Sequence, residues 1–212
     1  MQDLVASLRV LEIFDSLQGE GYWTGTPMTF VRLAGCNAPA LGLGCTRWCD
    51  TPGSWEPDAG EEMTAGEIMS HAWLPRLCLT GGEPLLQVLG VRGLLEAAHR
   101  REIRVHVETN GTLDPPAGPG ADLDWVTVSP KPPGYNVARG WRGRVDELKL
   151  VADDSLDAAT AERVAATHPE AVVFIQPEFC AGGASQTRAI ALVMDHPEWR
   201  LSLQTHKLLG LR

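Results

Sequence analysis

The sequence predicts an α/β fold built on a parallel sheet, and three observations carry that reading. Eight short runs rich in β-branched and aliphatic residues recur along the chain. Segments with helical spacing and good helix formers separate some of these runs. The 212 residues, 44% hydrophobic and 21% charged, make one domain over 1–212 with its own core. Strands that alternate with helices favour parallel pairing, because parallel neighbours need a crossover rather than a tight turn. The pattern leaves an open doubly wound sheet, a complete barrel and a partial barrel all standing.

Taken in order, the strands are LRVLEIF (8–14), MTFVRLA (28–34), RLCLT (76–80), IRVHVET (103–109), DWVTVS (124–129), ELKLV (147–151), AVVFIQ (171–176) and RLSLQ (200–204). The helices are TAGEIMSHAW (64–73), PLLQVLGVRGLLEAAHR (84–100), SLDAATAERVAATH (155–168) and ASQTRAIALVMDH (184–196). The stretches LDPPAGPGADLD (113–124) and KPPGYNVARGWRG (131–143) hold too much proline and glycine for core elements and read as loops. The first of them joins two strands without a long helix, so the crossover pattern is irregular there.

The formal charge is −9, from 27 acidic and 18 basic residues, which repels polyanions and argues against nucleic acid as a partner. No apolar run approaches the roughly 18 to 20 residues that span a bilayer, and the start MQDLVASLRVLEIF lacks the basic and small-residue features of a signal peptide. The expected location is therefore the cytoplasm, with no membrane partner. Five cysteines, an odd number, argue against a disulfide framework and towards a metal or a reactive thiol.

Cys36, Cys45 and Cys49 fall within 14 residues, in GCNAPALGLGCTRWCDT, whereas Cys78 and Cys180 are isolated and read as buried structural thiols. Three thiolates suit an iron–sulfur cluster or zinc with one coordination position open; three reduced structural cysteines are the plain alternative. No second C-x2-C pair or histidine set accompanies them, as zinc sites usually require, and His71, His99 and His106 are scattered. An open iron on a [4Fe-4S] cluster is what chemistry with S-adenosylmethionine demands.

At this point the residues resemble the 7-carboxy-7-deazaguanine synthase family of radical S-adenosylmethionine enzymes. The likeness runs through EIFDSLQGEGYWTGTPMTFVRLAGCN (12–37), WCDT (48–51), LTGGEPLLQ (79–87), VETNGT (107–112), SPK (129–131), ELKLV (147–151), FIQPEF (174–179) and LSLQTHKLLGLR (201–212). GGEP alone marks only the superfamily; SLQGEG before the cysteines with QTHK near the end is far more specific. One departure is the spacing C-x8-C-x3-C in place of the superfamily's C-x3-C-x2-C, which bears on how the loop wraps the cluster.

The resemblance implies a reduced, partial (β/α) radical S-adenosylmethionine barrel with parallel strands and few crossover helices. It implies cluster ligation by Cys36, Cys45 and Cys49, and S-adenosylmethionine binding by Trp48, Gly81, Gly82, Glu83, Ser129, Pro130, Lys131 and Gln176. Glycine at 81 and 82 would let the cofactor approach the backbone, Glu83 would orient its amine or its loop, and Pro84 opens the next helix where proline costs no hydrogen bond. Ser129, Lys131 and Gln176 follow predicted strands, where ligands of parallel sheets gather.

The implied substrate is 6-carboxy-5,6,7,8-tetrahydropterin, held by Leu17, Gln18, Gly19, Glu20, Arg32, Thr80, His206 and Arg212, with Mg2+ at Thr51 beside its carboxylate. Arg32, inside an apolar run, pairs either with the substrate or with a structural carboxylate. No side chain is expected to act as catalyst itself. The implied reaction is a radical ring contraction to 7-carboxy-7-deazaguanine with loss of ammonia, a carbon–nitrogen lyase step of queuosine and deazapurine biosynthesis with S-adenosylmethionine used catalytically. A flavodoxin- or ferredoxin-like electron donor and a homodimer complete the expectation. The rivals are a glycyl-radical-type activating enzyme and a non-enzymatic zinc-binding module.

Overall fold

A computed structural model describes residues 6–212. Its centre is a nine-stranded sheet in the order β3-β1-β2-β4-β5-β6-β7-β8-β9. The strands are β1 (Leu8–Leu17), β2 (Pro27–Leu33), β3 (Glu61–Met63), β4 (Arg76–Gly81), β5 (Arg104–Thr109), β6 (Trp125–Val128), β7 (Glu147–Ala152), β8 (Val172–Pro177) and β9 (Arg200–Leu201). From β2 to β9 every pairing is parallel, as expected. The departure lies at one edge, where β1 runs antiparallel to both β2 and β3. The reason is local: β1 and β2 are joined by a short loop, which can only return the chain antiparallel.

The helices are α1 (Ala65–His71), α2 (Val88–His99), α3 (Ala158–Ala165), α4 (Gly183–Asp195) and α5 (Thr205–Leu209). Thr64 starts α1 with a capping box, its side chain accepting from the Glu67 amide while Glu67 reaches back to the Thr64 amide. Asp157 caps α3 by accepting from the Thr160 amide at 2.8 Å. Proline at 84 opens a 3-10 turn that runs into α2. Two elements have no counterpart in the sequence reading. β3 holds two exposed glutamates and no apolar run, and α5 is a single turn. The expected strand at 200–204 shrinks to two residues.

No α-helix joins β5 to β6 or β6 to β7; the second connection holds only the 3-10 turn Arg139–Trp141. The space is filled instead by Trp141, fully buried in the core, whose indole N–H donates to the Leu113 carbonyl at 2.7 Å. One aromatic side chain from a glycine-rich loop thus does the packing that a crossover helix does elsewhere.

Strand alternation gives the sheet two faces of opposite character. Towards the helices, Leu77, Leu79, Val105, Val107, Val126 and Val128 pack with Ile68 of α1 and Leu94 of α2. Leu148, Leu150, Val173 and Ile175 do the same with Val164 of α3 and Leu192 of α4. The intervening positions turn Thr80, Glu108, Thr127, Lys149 and Gln176 into one cavity on the concave side. No helix among the described residues is long and apolar enough to cross a membrane.

Replacing Leu79, which is fully buried, by alanine is expected to lower the unfolding free energy by about 2–5 kcal/mol. Thr64→Ala, which removes only a cap, should cost about 1 kcal/mol. Urea denaturation of the two variants checks both values.

Candidate active site

The antiparallel course of β1 delivers the loop 18–26 to the end of the sheet where the parallel strands begin. The loop is folded by Gln18 N–H to Thr26 O (2.9 Å) and Gly25 N–H to Gln18 O (2.7 Å). The Tyr22 amide donates to Glu147 Oε2 at 3.0 Å, and the Gly21 amide donates to Ser202 Oγ at 3.0 Å. Beneath it Tyr22 and Trp23 pack on Trp125, the first residue of β6, and Arg76 at the start of β4 lies 3.8 Å from the Trp23 ring centroid. The loop therefore closes this end as a floor.

On that floor the cavity carries a sealed charge cluster. Glu108 accepts from Gln18 Nε2 at 2.9 Å and from Thr80 Oγ1 at 3.1 Å. Glu20 is bonded to the Lys149 ammonium and accepts from Gln204 Nε2 at 2.7 Å. Burial alone would raise the Glu108 carboxyl, but Lys149 and the hydrogen bonds from Gln18 and Thr80 overcome it and hold it at about 2. Glu20 is likewise lowered against its burial by Lys149. Burial would depress Lys149, yet the surrounding glutamates raise it above the usual lysine range. Glu147 has less compensation, and burial pushes it up to about 7.

At the other end Cys36, Cys45 and Cys49 line the same cavity, of about 270 Å³. The extra residues of the C-x8-C spacing fold outward as a turn closed by Leu41 N–H to Asn37 O and Leu43 N–H to Ala38 O, both 2.9 Å, with Leu41 and Gly42 exposed. The long spacing therefore leaves all three thiols on the cavity wall. Burial raises Cys45 and pushes Cys36 up to about 11, so these thiols hold their protons until a metal displaces them. Among the described residues no three His, Cys, Asp or Glu side chains converge on a single metal ion. Three soft sulfur donors facing one cavity suit a multi-iron cluster in donor chemistry.

The turn after β4 is locked to the cysteine loop by backbone. The Gly82 amide donates to Leu33 O at 3.1 Å, and the Glu83 amide to Gly35 O at 2.8 Å. A Cβ at Gly81 (φ +144°) would lie 2.2 Å from Leu33 O, and one at Gly82 would lie 2.2 Å from Gly35 O. Glycine is thus required here by the chain's own packing, before any cofactor arrives. The fully buried Glu83 carboxylate accepts from the Leu85 amide (3.1 Å), Thr109 Oγ1 (2.8 Å) and the Asn110 amide (2.8 Å). Of its two expected duties, holding the loops is the one these bonds perform.

Ser129, Lys131 and Gln176 line the cavity at the ends of β6 and β8, whereas Pro130 is buried and does not. Lys131 donates to Ser129 Oγ at 2.7 Å and lies 5.4 Å over the Trp48 ring, whose N–H donates to Asp153 at 3.0 Å. Gln176 Oε1 accepts from Ser202 Oγ at 2.8 Å. Leu17 and Thr51 also face the cavity, and Thr51 Oγ1 is 3.8 Å from Cys49 Sγ. Of the two partners expected for Arg32, the structure shows the structural carboxylate: Nε pairs with Glu12 at 2.7 Å, and the side chain also lines the cavity.

The last residues form a side wall. Thr205 N–H donates to Gly19 O at 2.9 Å, and a Cβ at Gly19 would collide with the His206 ring. Lys207 pairs with Asp50 at 2.6 Å, the Arg212 guanidinium bonds Glu12, and Ser16 donates to Arg212 O at 2.8 Å. One reading is corrected here. Cys78 is fully buried, as expected, but Cys180 is exposed at the cavity rim beyond β8. The floor residues Glu108, Thr127 and Lys149 escaped sequence reasoning, although their alternation with Val107, Val128 and Leu150 carries the signal.

No family model matches the chain. Its curated relatives are informative. The 7-carboxy-7-deazaguanine synthase of Bacteroides thetaiotaomicron is 41% identical over 207 residues, covering 96% of this chain and 98% of the relative. The chain belongs to the 7-carboxy-7-deazaguanine synthase family. The synthases of Bradyrhizobium diazoefficiens, 40% identical over 97% of this chain and all of the relative, and of Bordetella pertussis, 39% identical over 95% and 98%, agree. The crystal structure of QueE from Escherichia coli shares the fold with a TM-score of 0.73 at 27% identity, covering 93% of this chain and 94% of that one. A 7-carboxy-7-deazaguanine synthase is a radical S-adenosylmethionine enzyme, which implies an iron–sulfur cluster and S-adenosylmethionine.

For this synthase, Glu83→Ala is expected to cost at least about 2 kcal/mol, because it strands buried donors, and Glu83→Gln distinctly less. Glu147 gives a pH signature. Its raised folded value means its contribution is present below about 4.5 and lost as pH rises through about 7. Glu147→Gln should remove roughly 1–3 kcal/mol from the fall in stability between pH 5 and pH 8, read by urea unfolding at the two pH values.

Proposed function

We infer that the chain carries out its family's reaction, the radical ring contraction of 6-carboxy-5,6,7,8-tetrahydropterin to 7-carboxy-7-deazaguanine with loss of ammonia, S-adenosylmethionine being regenerated. The observation that carries this reading is one continuous cavity with three thiols at its mouth and a hydrogen-bonding, charged floor at its base. Cys36, Cys45 and Cys49 would hold a [4Fe-4S] cluster, which would supply the one-electron reduction that radical chemistry with S-adenosylmethionine needs.

The protein's own residues bind and orient. Ser129, Lys131 and Gln176 shape the strand-end shelf for S-adenosylmethionine, the buried Pro130 only setting the backbone between Ser129 and Lys131, with Gly81 and Gly82 as backbone contacts and Trp48 packed beside Lys131. Glu83 holds that shelf to the cysteine loop. For the pterin, Gln18, Glu20 and Glu108 offer acceptors to the donor edge of the ring, Thr80 and Leu17 flank it, and Arg32 offers a guanidinium to its carboxylate. Gly19, His206 and Arg212 line the side of the cavity. Thr51 with the substrate carboxylate would hold Mg2+, completed by waters.

The same proposal extends to the chain acting as one domain and to its partners. A flavodoxin- or ferredoxin-like protein would supply electrons at the cysteine-loop end. A second copy would cover the apolar residues Ile190 and Met194 of α4 and Leu208 and Leu209 of α5, exposed beside the free edge strand β9.

The test is an anaerobic assay of iron-reconstituted protein with a reductant, Mg2+ and the pterin, read by mass spectrometry. Product in excess over consumed S-adenosylmethionine is the expected result, and Cys45→Ala should lose iron and all turnover. S-adenosylmethionine cleavage with no pterin conversion, or zinc in place of iron, would overturn the reading.

A further inference from the structure

Lys149 is the middle residue of ELKLV, between Leu148 and Leu150, both fully buried against the helices. Alternation turns its side chain the other way, into the floor, where its ammonium bonds Glu20. Glu20 is bonded to it, Glu108 lines the same cavity, and Glu147 lies two residues before it on β7, on the same face of the strand. Carboxylates this close in a water-poor site ionise together only if a cation lies among them; otherwise one takes up a proton.

We propose that Lys149 is a positioning residue for the pterin: its ammonium keeps Glu20 and Glu108 as paired acceptors, aimed at the N–H groups on the aminopyrimidinone edge of the substrate. The inference rests on the pterin reading above and goes beyond it by assigning the polarity of the floor to a residue that need not touch substrate. An ionised carboxylate only accepts hydrogen bonds, whereas a protonated one presents an O–H to the substrate's own donors. The orientation of each carboxylate is fixed from outside the substrate: Gln204 holds Glu20, and Gln18 and Thr80 hold Glu108.

The other charged or titratable groups facing this cluster do not replace the lysine. His106 of β5 is depressed by burial to about 4 and bonds Thr127. Lys131 beyond β6 is engaged with Ser129, and Arg32 of β2 pairs with Glu12. Cys78 of β4 is a buried thiol raised well above its usual range, and Glu147 adds further negative charge when ionised.

The experiment compares reconstituted wild type, Lys149→Met and Lys149→Arg for pterin KM, kcat at saturating pterin, and S-adenosylmethionine cleavage without pterin. Lys149→Met should raise KM about tenfold or more while changing kcat by less than about threefold and the uncoupled cleavage by less than about twofold. Lys149→Arg, which keeps the charge, should recover most of the KM. If Lys149→Met does not fold, Lys149→Gln, which also lacks the charge, carries the same expectation. An unchanged KM in the neutral variant, equal KM losses in the neutral and Arg variants, or failure of both neutral variants to fold would overturn the proposal. Failure of the wild type to convert the pterin would instead overturn the functional reading beneath it.

Discussion

Alternation along the strands is the constraint on which the rest depends. Successive side chains on a strand must point to opposite faces, so five parallel strands can present valine and leucine to the helices and threonine, glutamate, lysine and glutamine to a cavity. A one-residue slip in any strand would exchange the two sets. The apolar face stabilises the fold through helix packing. The polar face survives burial because most of its groups satisfy one another: Glu20 with Lys149 and Gln204, and Glu108 with Gln18 and Thr80, while His106 bonds Thr127 through one ring nitrogen only. The electrostatics of the floor are a consequence of the same register that builds the core.

The mouth is assembled differently, by backbone contacts between loops that are far apart in sequence. Leu33 at the end of β2 and Gly35 just after it accept from Gly82 and Glu83 after β4, and Glu83 in turn accepts from the end of β5. The Gly44 amide donates to Pro132 O at 2.8 Å, and Trp48 reaches Asp153 at the end of β7. The cysteine loop is thus fastened to four strand ends, which allows residues 39–42 to bulge outward without moving the thiols off the cavity wall. A superfamily spacing lengthened by several residues costs the site little because the added residues lie on the solvent side.

Much of this was legible in the sequence. The run IRVHVET reads as a strand from its β-branched content, and TAGEIMSHAW as a helix from its spacing and helix formers. The three clustered cysteines, GGEP and the polar residues after predicted strands point to the cofactor end, and the structure brings Cys36, Cys45, Cys49, Ser129, Lys131 and Gln176 onto one cavity. What escaped depends on long-range packing. β3 is a strand only because β1 offers it an edge, not because Glu61 or Glu62 favours one. Lys149 and Glu108 look like isolated charges until the parallel register sets β5 and β7 around the same space. Cys180 looks like a small buried hydrophobe in EFCAGG, and only its place in the loop after β8 exposes it.

The central claim is that the cavity has two chemically distinct ends joined in one space: thiols and the cofactor shelf above, a carboxylate-rich floor with a buried lysine below. The direct measurement is a crystal structure of the reconstituted protein grown anaerobically with S-adenosylmethionine and the pterin. The account predicts the aminopyrimidinone edge within hydrogen-bond distance of Glu20 and Glu108, and the substrate carboxylate towards Arg32 and Thr51. A pterin bound with its carboxylate against Glu108, or outside this cavity, would contradict it.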